Sequence, residues 1–469
     1  MTISPAIAQY NVPLIINDRL DIALAIDCAG WHGGQSDCPA ADARRLLGPH
    51  KIIGVSTNTE EELQEVLDQG VADYVGIGPA YDTATKKDLS ALLGVRGVAR
   101  LLGVLGESEV KSVVIGGVGP KTIPNVLRQC AWPLEGGKKY RTLDGLAVVS
   151  AIAAAADPKS ATEELVRLWR AQPVYPLEQH PAVVSTDSIV SAACAVLTAL
   201  RQDDNSPLIH SITNQVVMND SANLTLAFGG SPIMSASPEE AEELGQHVGA
   251  LLLNLGTVTT AQVACQITAG VTANRRGRPV VVDPVGVGAT SFRRRNAAAL
   301  MSQFHASVIK GNAGEIGAIA GSSEVLARGV DSIGTGFREP ARVVRDLARR
   351  EKLVIAMSGV VDYISDGQTT FAIENGHPYQ GQITGSGCMA TQAIATFAAG
   401  ADGLAFGTSR DLVGAVAGVL AYNVAAEIAA ESEGVRGPNT FRAALIDACA
   451  NVTVEEIAKR ARVMLCEAN

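Results

Sequence analysis

The sequence predicts an α/β protein of two catalytic-sized domains, and three observations carry that prediction. Short apolar runs alternate with helical stretches along most of the chain, a rhythm that builds βαβ units and parallel sheets. The runs end in polar clusters, at the strand ends where a β/α barrel or an open α/β sheet places its active site. Residues 172–186, with three prolines and no helical period, break the rhythm once and read as a linker. At 469 residues the chain also exceeds what one ordinary core organises.

Taken in order, the first half offers six strand-like runs. They are 12–16 before Asn17-Asp18, 30–32 before Gln35 and Asp37, and 52–55 before Ser56. The others are 74–77 before Gly78-Pro79, 113–115 before Gly116-Gly117, and 146–149 before Ser150. A helix over 159–170 closes this unit. After the linker, Asp187 is expected to cap a helix through Leu200, and from Pro207 a second α/β pattern runs to the end. The expected division is therefore a first domain over 1–171, a linker over 172–186 and a second domain over 187–469.

Composition excludes several function classes. The chain is 47% apolar and 18% charged, with net charge −10 and no basic block. Nucleic acid and anionic membrane surfaces both require clustered Lys and Arg, so small-molecule substrates are expected instead. Eight cysteines are scattered without a C-x-x-C pair, the usage of a reducing compartment, and residues 1–9 lack the features of a signal peptide. A cytoplasmic location follows as an expectation. The apolar stretch 412–430 contains Tyr422, Asn423 and Glu427 and reads as a buried helix rather than a membrane span.

Three segments of the second half carry chemistry. Val280-Val281-Val282-Asp283 is a buried strand ending on an acid and a Gly-rich loop. Val308-Ile309-Lys310-Gly311-Asn312 is a strand followed by Asn-x-x-Glu, with Glu315 opening a helix. Thr384-Gly385-Ser386-Gly387-Cys388 precedes a long Ala-rich helix. Two glycines let backbone approach an anion, and the helix behind them aims free N–H groups and its positive end at it. Beside Asp283, Asn312 and Glu315, that turn reads as a phosphoryl-transfer site, which needs an anion cradle and acids for Mg²⁺. Cys388 lies in the first helical turn, where the dipole is expected to favour the thiolate and make it the base for an attacking hydroxyl.

These segments resemble hydroxyethylthiazole kinase. So do Pro207-Leu-Ile-His-Ser-Ile-Thr-Asn214, Met218-Asn-Asp220, Ser231-Pro-Ile-Met234, Ser358-Gly-Val-Val-Asp362 and Asn375-Gly-His377, and the likeness spans about residues 187–460. The resemblance implies a ribokinase-like α/β fold and transfer of the ATP γ-phosphate to 5-(2-hydroxyethyl)-4-methylthiazole. It assigns Asn214, Met234 and Gly385 to the thiazole alcohol, Lys310 and Ser358 to ATP, and Asp283 and Glu315 to Mg²⁺. Cys388 takes the place where many ribokinase-like relatives carry an aspartate base. Lys310 stands where some members have Arg, exchanging a bidentate fork for a point charge. His377 is expected to be structural. Such kinases resemble one another as trimers, which implies a homo-oligomer built on kinase trimers.

In the first half, Asn17 and Asp18 end one strand, and Asp37 follows the next. Two carboxylates at adjacent strand ends suit one Mg²⁺ with water completing its shell. Asp21 and Asp27 read as ordinary surface acids. Thr83, Thr85 and Lys86 place two hydroxyls and an ammonium in one loop, and Gly117, Val149 and Ser150 occupy the last strand ends, a frequent phosphate site. A Mg²⁺ site opposite a phosphate site suggests the joining of two phosphorylated pieces.

The Ile-Asn-Asp-Arg, Gly-Gln-x-Asp, Gly-Val-Ser and Thr-x-Thr-Lys segments resemble thiamine-phosphate synthase over residues 11–158. The resemblance implies displacement of pyrophosphate from hydroxymethylpyrimidine diphosphate by the nitrogen of thiazole phosphate. It gives Asn17, Asp18, Asp37, Ser56 and Lys86 to the pyrimidine diphosphate and its Mg²⁺, and Thr83, Thr85, Gly117, Val149 and Ser150 to the thiazole phosphate. The attacking nitrogen carries no proton, so charge stabilisation replaces a general base.

Departures from this family also stand in the sequence. A (β/α)8-type barrel has eight strands, and the first two, with a Gln-x-Arg-x-Lys cluster, have no counterpart here. Trp31 and Gly33 flank His32 where smaller or branched residues are usual, and residues 132–141 look like an insertion. The expectation is that the native chain is longer and that, beginning at Met1, it has little synthase activity. The chain thus reads as a bifunctional thiamine-biosynthesis enzyme; a monofunctional thiazole kinase with a structural barrel is the alternative. A sensor without turnover is disfavoured by the Asp283, Glu315 and Cys388 set.

Overall fold

The computed structural model describes residues 9–81, 92–135, 138–171, 185–202, 206–322, 326–328, 331–333 and 336–467. The chain divides into two compact units, residues 1–178 and 179–469.

In the first unit the strands are β1 (Ile15–Asn17), β2 (Gly30–Gly33), β3 (Ile52–Thr57), β4 (Tyr74–Ile77), β5 (Lys111–Val114), β6 (Ala131–Leu134), β7 (Lys139–Thr142) and β8 (Gly145–Leu146). Six of them form one parallel sheet in the order β1-β2-β3-β4-β5-β8, matching the six expected runs. Period-two alternation sorts its faces. Trp31, Ile53, Val55, Val75, Ile77 and Val114 are buried with the helix residues Leu63, Val66, Val95, Val98 and Leu102. The register places Asn17, His32, Gly54, Ser56, Tyr74 and Gly76 on the other face, which is polar.

Two departures in this unit have physical reasons. A Cβ on Gly33 would lie 2.1 Å from the Trp31 ring, so the large and the small residue compensate each other. The stretch expected as an insertion is the antiparallel hairpin β6–β7, outside the parallel sheet. Arg141 fastens it by donating to the carbonyls of Ser108 and Val110. The closing helix is Pro158–Arg170, capped by Asp157.

The second unit contains β9 (Leu208–Ile212), β10 (Ser231–Ile233), β11 (Ala250–Asn254), β12 (Val280–Asp283), β13 (Val308–Asn312), β14 (Leu326–Arg328), β15 (Asp331–Ile333), β16 (Val354–Ser358), β17 (Asp362–Ser365), β18 (Thr370–Ile373) and β19 (Val463–Leu465). Nine of these make a sheet in the order β10-β9-β11-β12-β13-β16-β17-β18-β19, parallel through β16 and antiparallel beyond. Strands β14 and β15 pair separately.

Alternate residues of its central strands enter two cores. Ile209, Leu252, Val281 and Val308 pack with helices Thr186–Leu200, Ser386–Gly400 and Arg410–Glu431. Leu251, Leu253, Val280, Val282 and Ile309 pack with Thr260–Arg275, Ser291–Gln303 and Pro340–Glu351. Such strands, buried on both faces, explain the uninterrupted Val-Val-Val and Leu-Leu-Leu runs.

Helix Arg410–Glu431 is long and apolar enough to cross a membrane, yet 89% of its most apolar window is buried inside the unit. The N-cap of helix Thr186–Leu200 is Ser185, whose hydroxyl accepts from the Ser188 N–H at 3.1 Å, and not Asp187 as expected. Asp187 instead contributes a charge to the first turn, where the helix dipole favours it.

Candidate active sites

The parallel strands of the second unit bring Asn254, Asp283, Asn312 and Ser358 to one edge of the sheet, each at its strand's last residue. Into that edge points the helix Ser386–Gly400. Its N-cap is Gly385, at φ +84°, and a Cβ there would come within 2.6 Å of the Val217 side chain. A left-handed backbone in a space without room for a side chain requires glycine.

Cys388 lies three residues inside this helix and is gripped by amides. Asn254 Nδ2 donates to its Sγ at 3.2 Å and Asn214 Nδ2 at 3.5 Å. Asn254 also donates to Asp283 Oδ2 at 2.9 Å, and its own Oδ1 accepts from Asn214 Nδ2 and the Gly256 N–H, each at 2.9 Å. Thr391, one helical turn after Cys388, donates to the same Asp283 oxygen at 2.9 Å. Asn254 and Thr391 escaped the sequence reading. Asn254 had a signal, since its apolar run Leu251-Leu252-Leu253 ends on a polar residue just as the runs of the first half do.

Burial sets the charge states. Asp283 is pushed up by desolvation, and the Lys310 ammonium, with bonds from Thr391, the Cys388 thiol and Asn254, pulls it back. Cys388 is pushed up to about 12 by burial first and by the Asp283 charge second. The expected thiolate is therefore corrected: at neutral pH this cysteine is a thiol, because lost hydration and a neighbouring carboxylate outweigh the helix dipole.

Lys310, only 4% exposed, donates from Nζ to the Gly387 carbonyl at 2.9 Å, holding a positive charge against the glycine turn. Glu315 caps rather than projects: Oε2 accepts from the Asn312 N–H at 2.9 Å and Oε1 from the Gly286 N–H at 2.8 Å. It thereby ties the loop after β12 to the end of β13. Burial and then Asp283 raise its pKa to about 7. The Ser358 hydroxyl donates to the Gly311 carbonyl at 3.4 Å, and Asp362 holds the next N–H, that of Gly359, at 2.9 Å.

Asn214 is spent on scaffolding as much as on recognition. Its Oδ1 accepts from the N–H groups of Val216 and Val217, in addition to the amide contacts above. Met234, half-buried, stands just past β10. His377 caps the turn Pro378–Gln382, taking the Tyr379 N–H on Nδ1 at 3.2 Å, a structural role. A cleft of about 230 Å³ lined by Val216, Asp220, Gln382, Ile383, Thr384 and Arg442 adjoins both Asn214 and Gly385 in sequence. A larger cleft of about 640 Å³ is lined by His377 and by the paired ions Arg460–Glu431 and Arg462–Glu427, and by none of Asn214, Met234, Asp283, Lys310, Glu315, Ser358 or Cys388.

Among the described residues no cluster of three or more His, Cys, Asp or Glu is arranged to hold a metal. Glu315 has both oxygens taken by backbone N–H groups and Asp283 has Oδ2 taken by Asn254 and Thr391, so the pair suits a Mg²⁺ held through its water shell rather than by direct bonds from both acids.

In the first unit, the Trp31 indole donates to the Asp18 carbonyl at 3.1 Å, pinning Asp18 at φ +62° beside Asn17. Asp37 Oδ2 accepts from the Gly34 N–H at 2.7 Å. Asp21 and Asp27 are exposed and paired with Arg19 and Lys51. Ser56 is joined by two residues the sequence reading left out, His32 and Tyr74: His32 Nε2 lies 2.9 Å from Ser56 Oγ, and Nδ1 lies 2.9 Å from the Tyr74 hydroxyl. Gly117 follows Gly116 in a left-handed turn (φ +62° and +91°). Val149, exposed, precedes the short helix Ser150–Ala153. Thr83, Thr85 and Lys86 lie outside the described residues.

Comparison with known proteins accords with both halves. The family model described as hydroxyethylthiazole kinase family matches residues 197–455, and that for thiamine monophosphate synthase matches residues 1–152. The probable thiamine biosynthetic bifunctional enzyme of Schizosaccharomyces pombe is 38% identical over 449 residues, covering 94% of this chain and 83% of that protein. The thiamine biosynthetic bifunctional enzyme of Saccharomyces cerevisiae is 35% identical over 477 residues, covering 94% and 84%. The solved hydroxyethylthiazole kinase of Pyrococcus horikoshii, 34% identical, is covered in full by 59% of this chain with a TM-score of 0.52. Matched along nearly its whole length, the chain belongs to the thiamine biosynthetic bifunctional enzymes, with a thiamine-phosphate synthase domain ahead of a hydroxyethylthiazole kinase domain.

Proposed function

We propose that the second domain transfers the γ-phosphate of ATP to the hydroxyl of 5-(2-hydroxyethyl)-4-methylthiazole, at the turn Gly385-Ser386-Gly387-Cys388. The observation that carries this reading is the Asn254-centred network that holds Cys388 against Asp283, with Lys310 at the glycine turn. We assign the alcohol to the cleft beside Gly385, with Asn214 and Met234 as its contacts. Lys310 and Ser358 face the nucleotide. Asp283 and Glu315 would hold Mg²⁺ through water, and the ion would supply charge neutralisation on the nucleotide phosphates.

As the hydroxyl oxygen bonds to the γ-phosphorus and the β–γ bridge breaks, ADP departs. The hydroxyl proton goes to Cys388, which as a thiol passes its own to Asp283. Burial favours that uptake by raising the Asp283 pKa.

The first domain then joins the thiazole phosphate to hydroxymethylpyrimidine diphosphate. The ring nitrogen forms the new C–N bond, and the C–O bond to the diphosphate breaks with its electrons. Asn17, Asp18, Asp37, Ser56 and Lys86 serve the diphosphate and its Mg²⁺; Thr83, Thr85, Gly117, Val149 and Ser150 serve the thiazole phosphate. The protein works in the cytoplasm as a homo-oligomer built on kinase trimers, with small-molecule substrates and neither nucleic acid nor membrane as partner.

ATP consumption by the purified chain, measured with and without the thiazole alcohol, tests the kinase reading. Consumption only with the alcohol is expected, and an equal rate without it refutes the assignment. Pyrophosphate release from pyrimidine diphosphate plus thiazole phosphate tests the other domain, and its absence leaves that domain a structural role.

A further inference from the structure

The polar face of the first unit's sheet carries a three-residue chain that spans neighbouring strands. Tyr74 begins β4, His32 sits within β2, and Ser56 lies next to last in β3, toward the strand ends. The His32 ring bridges the other two at 2.9 Å on each nitrogen. Glycines make this geometry available. A Cβ on Gly54 would fall 2.4 Å from His32 Nδ1 and 2.2 Å from the Tyr74 ring, and one on Gly76 would fall 3.2 Å from His32 Cε1. The ring therefore lies over Gly54, where a side chain has no room, and packs closely on Gly76.

Directionality follows from the inventory of protons. A neutral imidazole donates from one nitrogen and accepts at the other, so the three groups must point the same way along the chain. In one sense Tyr74 donates to Nδ1, Nε2–H donates to Ser56 Oγ, and the serine proton faces outward. In the other, Ser56 spends its proton on His32 and presents a lone pair. A phenol is the more acidic hydroxyl and the better donor to an imidazole nitrogen, which selects the first sense. An outward serine proton is also what an anion at the strand ends requires.

We propose that Tyr74 and His32 are positioning residues that hold Ser56 as a hydrogen-bond donor toward the departing diphosphate. This rests on the reading of Ser56 as a diphosphate contact. Neither residue needs to touch substrate; each acts by fixing which way the serine hydroxyl points before substrate arrives. Charge accumulates on the diphosphate as its C–O bond breaks, so a pre-aimed donor stabilises the transition state more than the ground state.

The test has two arms on the full chain. In the first, ¹⁵N-histidine-labelled protein is examined by long-range ¹H–¹⁵N correlation, with the His32 signals assigned by their loss in His32→Asn. The expected wild-type state is the Nε2–H tautomer, with tautomers mixing in Tyr74→Phe. A predominant Nδ1–H tautomer in the wild type overturns the proposal, whatever the enzyme's activity.

In the second arm, pyrophosphate release is followed in Tyr74→Phe, Ser56→Ala and the double variant. Tyr74→Phe should lower kcat roughly tenfold, the worth of one charge-assisted hydrogen bond, leaving the KM for thiazole phosphate unchanged. The double variant should be no slower than Ser56→Ala alone. Additive losses overturn the proposal. Wild-type protein that shows the Nε2–H tautomer but releases no pyrophosphate defeats the synthase reading and leaves the hydrogen-bond chain standing.

Discussion

Asn254 is the residue on which the kinase centre turns, and Asn254→Ala measures that. In the folded unit its 3% exposed amide makes four hydrogen bonds, to Asp283, Cys388, Asn214 and Gly256. Truncation removes a charge-assisted bond to a buried carboxylate, about 1.5–3 kcal/mol, and strands the Gly256 N–H, about 1–3 kcal/mol. Water entering the vacated space recovers part of this, so a loss of roughly 3–5 kcal/mol is expected, out of a typical total of about 5–15 kcal/mol. The chain offers its own control. All three tryptophans, Trp31, Trp132 and Trp169, belong to the first unit. In urea, tryptophan fluorescence therefore follows the first unit, while far-ultraviolet circular dichroism follows both. At an m-value of about 3 kcal/mol/M, the second unit's midpoint should fall by roughly 1–2 M while the fluorescence midpoint stays put. Kinase turnover should fall in parallel, since Cys388 loses its nearer amide. Wild-type turnover with a midpoint shift below about 0.3 M refutes the network as the organiser of the site.

Cys388→Ala should lower thiazole-dependent turnover by about 10²–10³-fold with little change in ATP affinity by equilibrium titration; unchanged turnover removes the cysteine from proton transfer. Gly385→Ala meets a left-handed backbone and the Val217 side chain, so a destabilisation of about 2–4 kcal/mol and loss of kinase activity are expected, and a wild-type melting curve contradicts the tight approach. Glu315, raised in the folded state to about 7 from an ordinary 4.5, favours its neutral form there. Its stabilising contribution is thus full below about pH 4.5 and lost as pH rises through about 7. Glu315→Gln should flatten that decline in urea unfolding between pH 5 and 8, and an unaltered slope places the dependence elsewhere.

The sequence made the strands legible because apolar runs ending on polar residues leave a local trace. All six runs of the first half became strands of one parallel sheet, and the Asn-x-x-Glu spacing of Asn312 and Glu315 became a capping box. What stayed hidden depended on contacts far apart in sequence. Asn254 joins Cys388 across 134 residues, Thr391 reaches Asp283 across 108, and His32 reaches Tyr74 across 42. The thiolate expectation for Cys388 failed for the same reason: the dipole is local and visible, whereas burial and the Asp283 charge arise only on folding. Trp31 and Gly33, a mismatch residue by residue, are a matched pair in space. Ser185 took the cap expected of Asp187 because helix Thr186–Leu200 begins one residue before Asp187.

The central claim is that phosphate moves from ATP to an alcohol at the Gly385 turn, under control of Asp283. Phosphorus-31 spectra of the full chain with ATP, Mg²⁺ and the thiazole alcohol test it directly. A single new phosphomonoester should grow in step with ADP and vanish in Asp283→Asn. Inorganic phosphate appearing in its place, or a phosphomonoester formed equally well by Asp283→Asn, contradicts it.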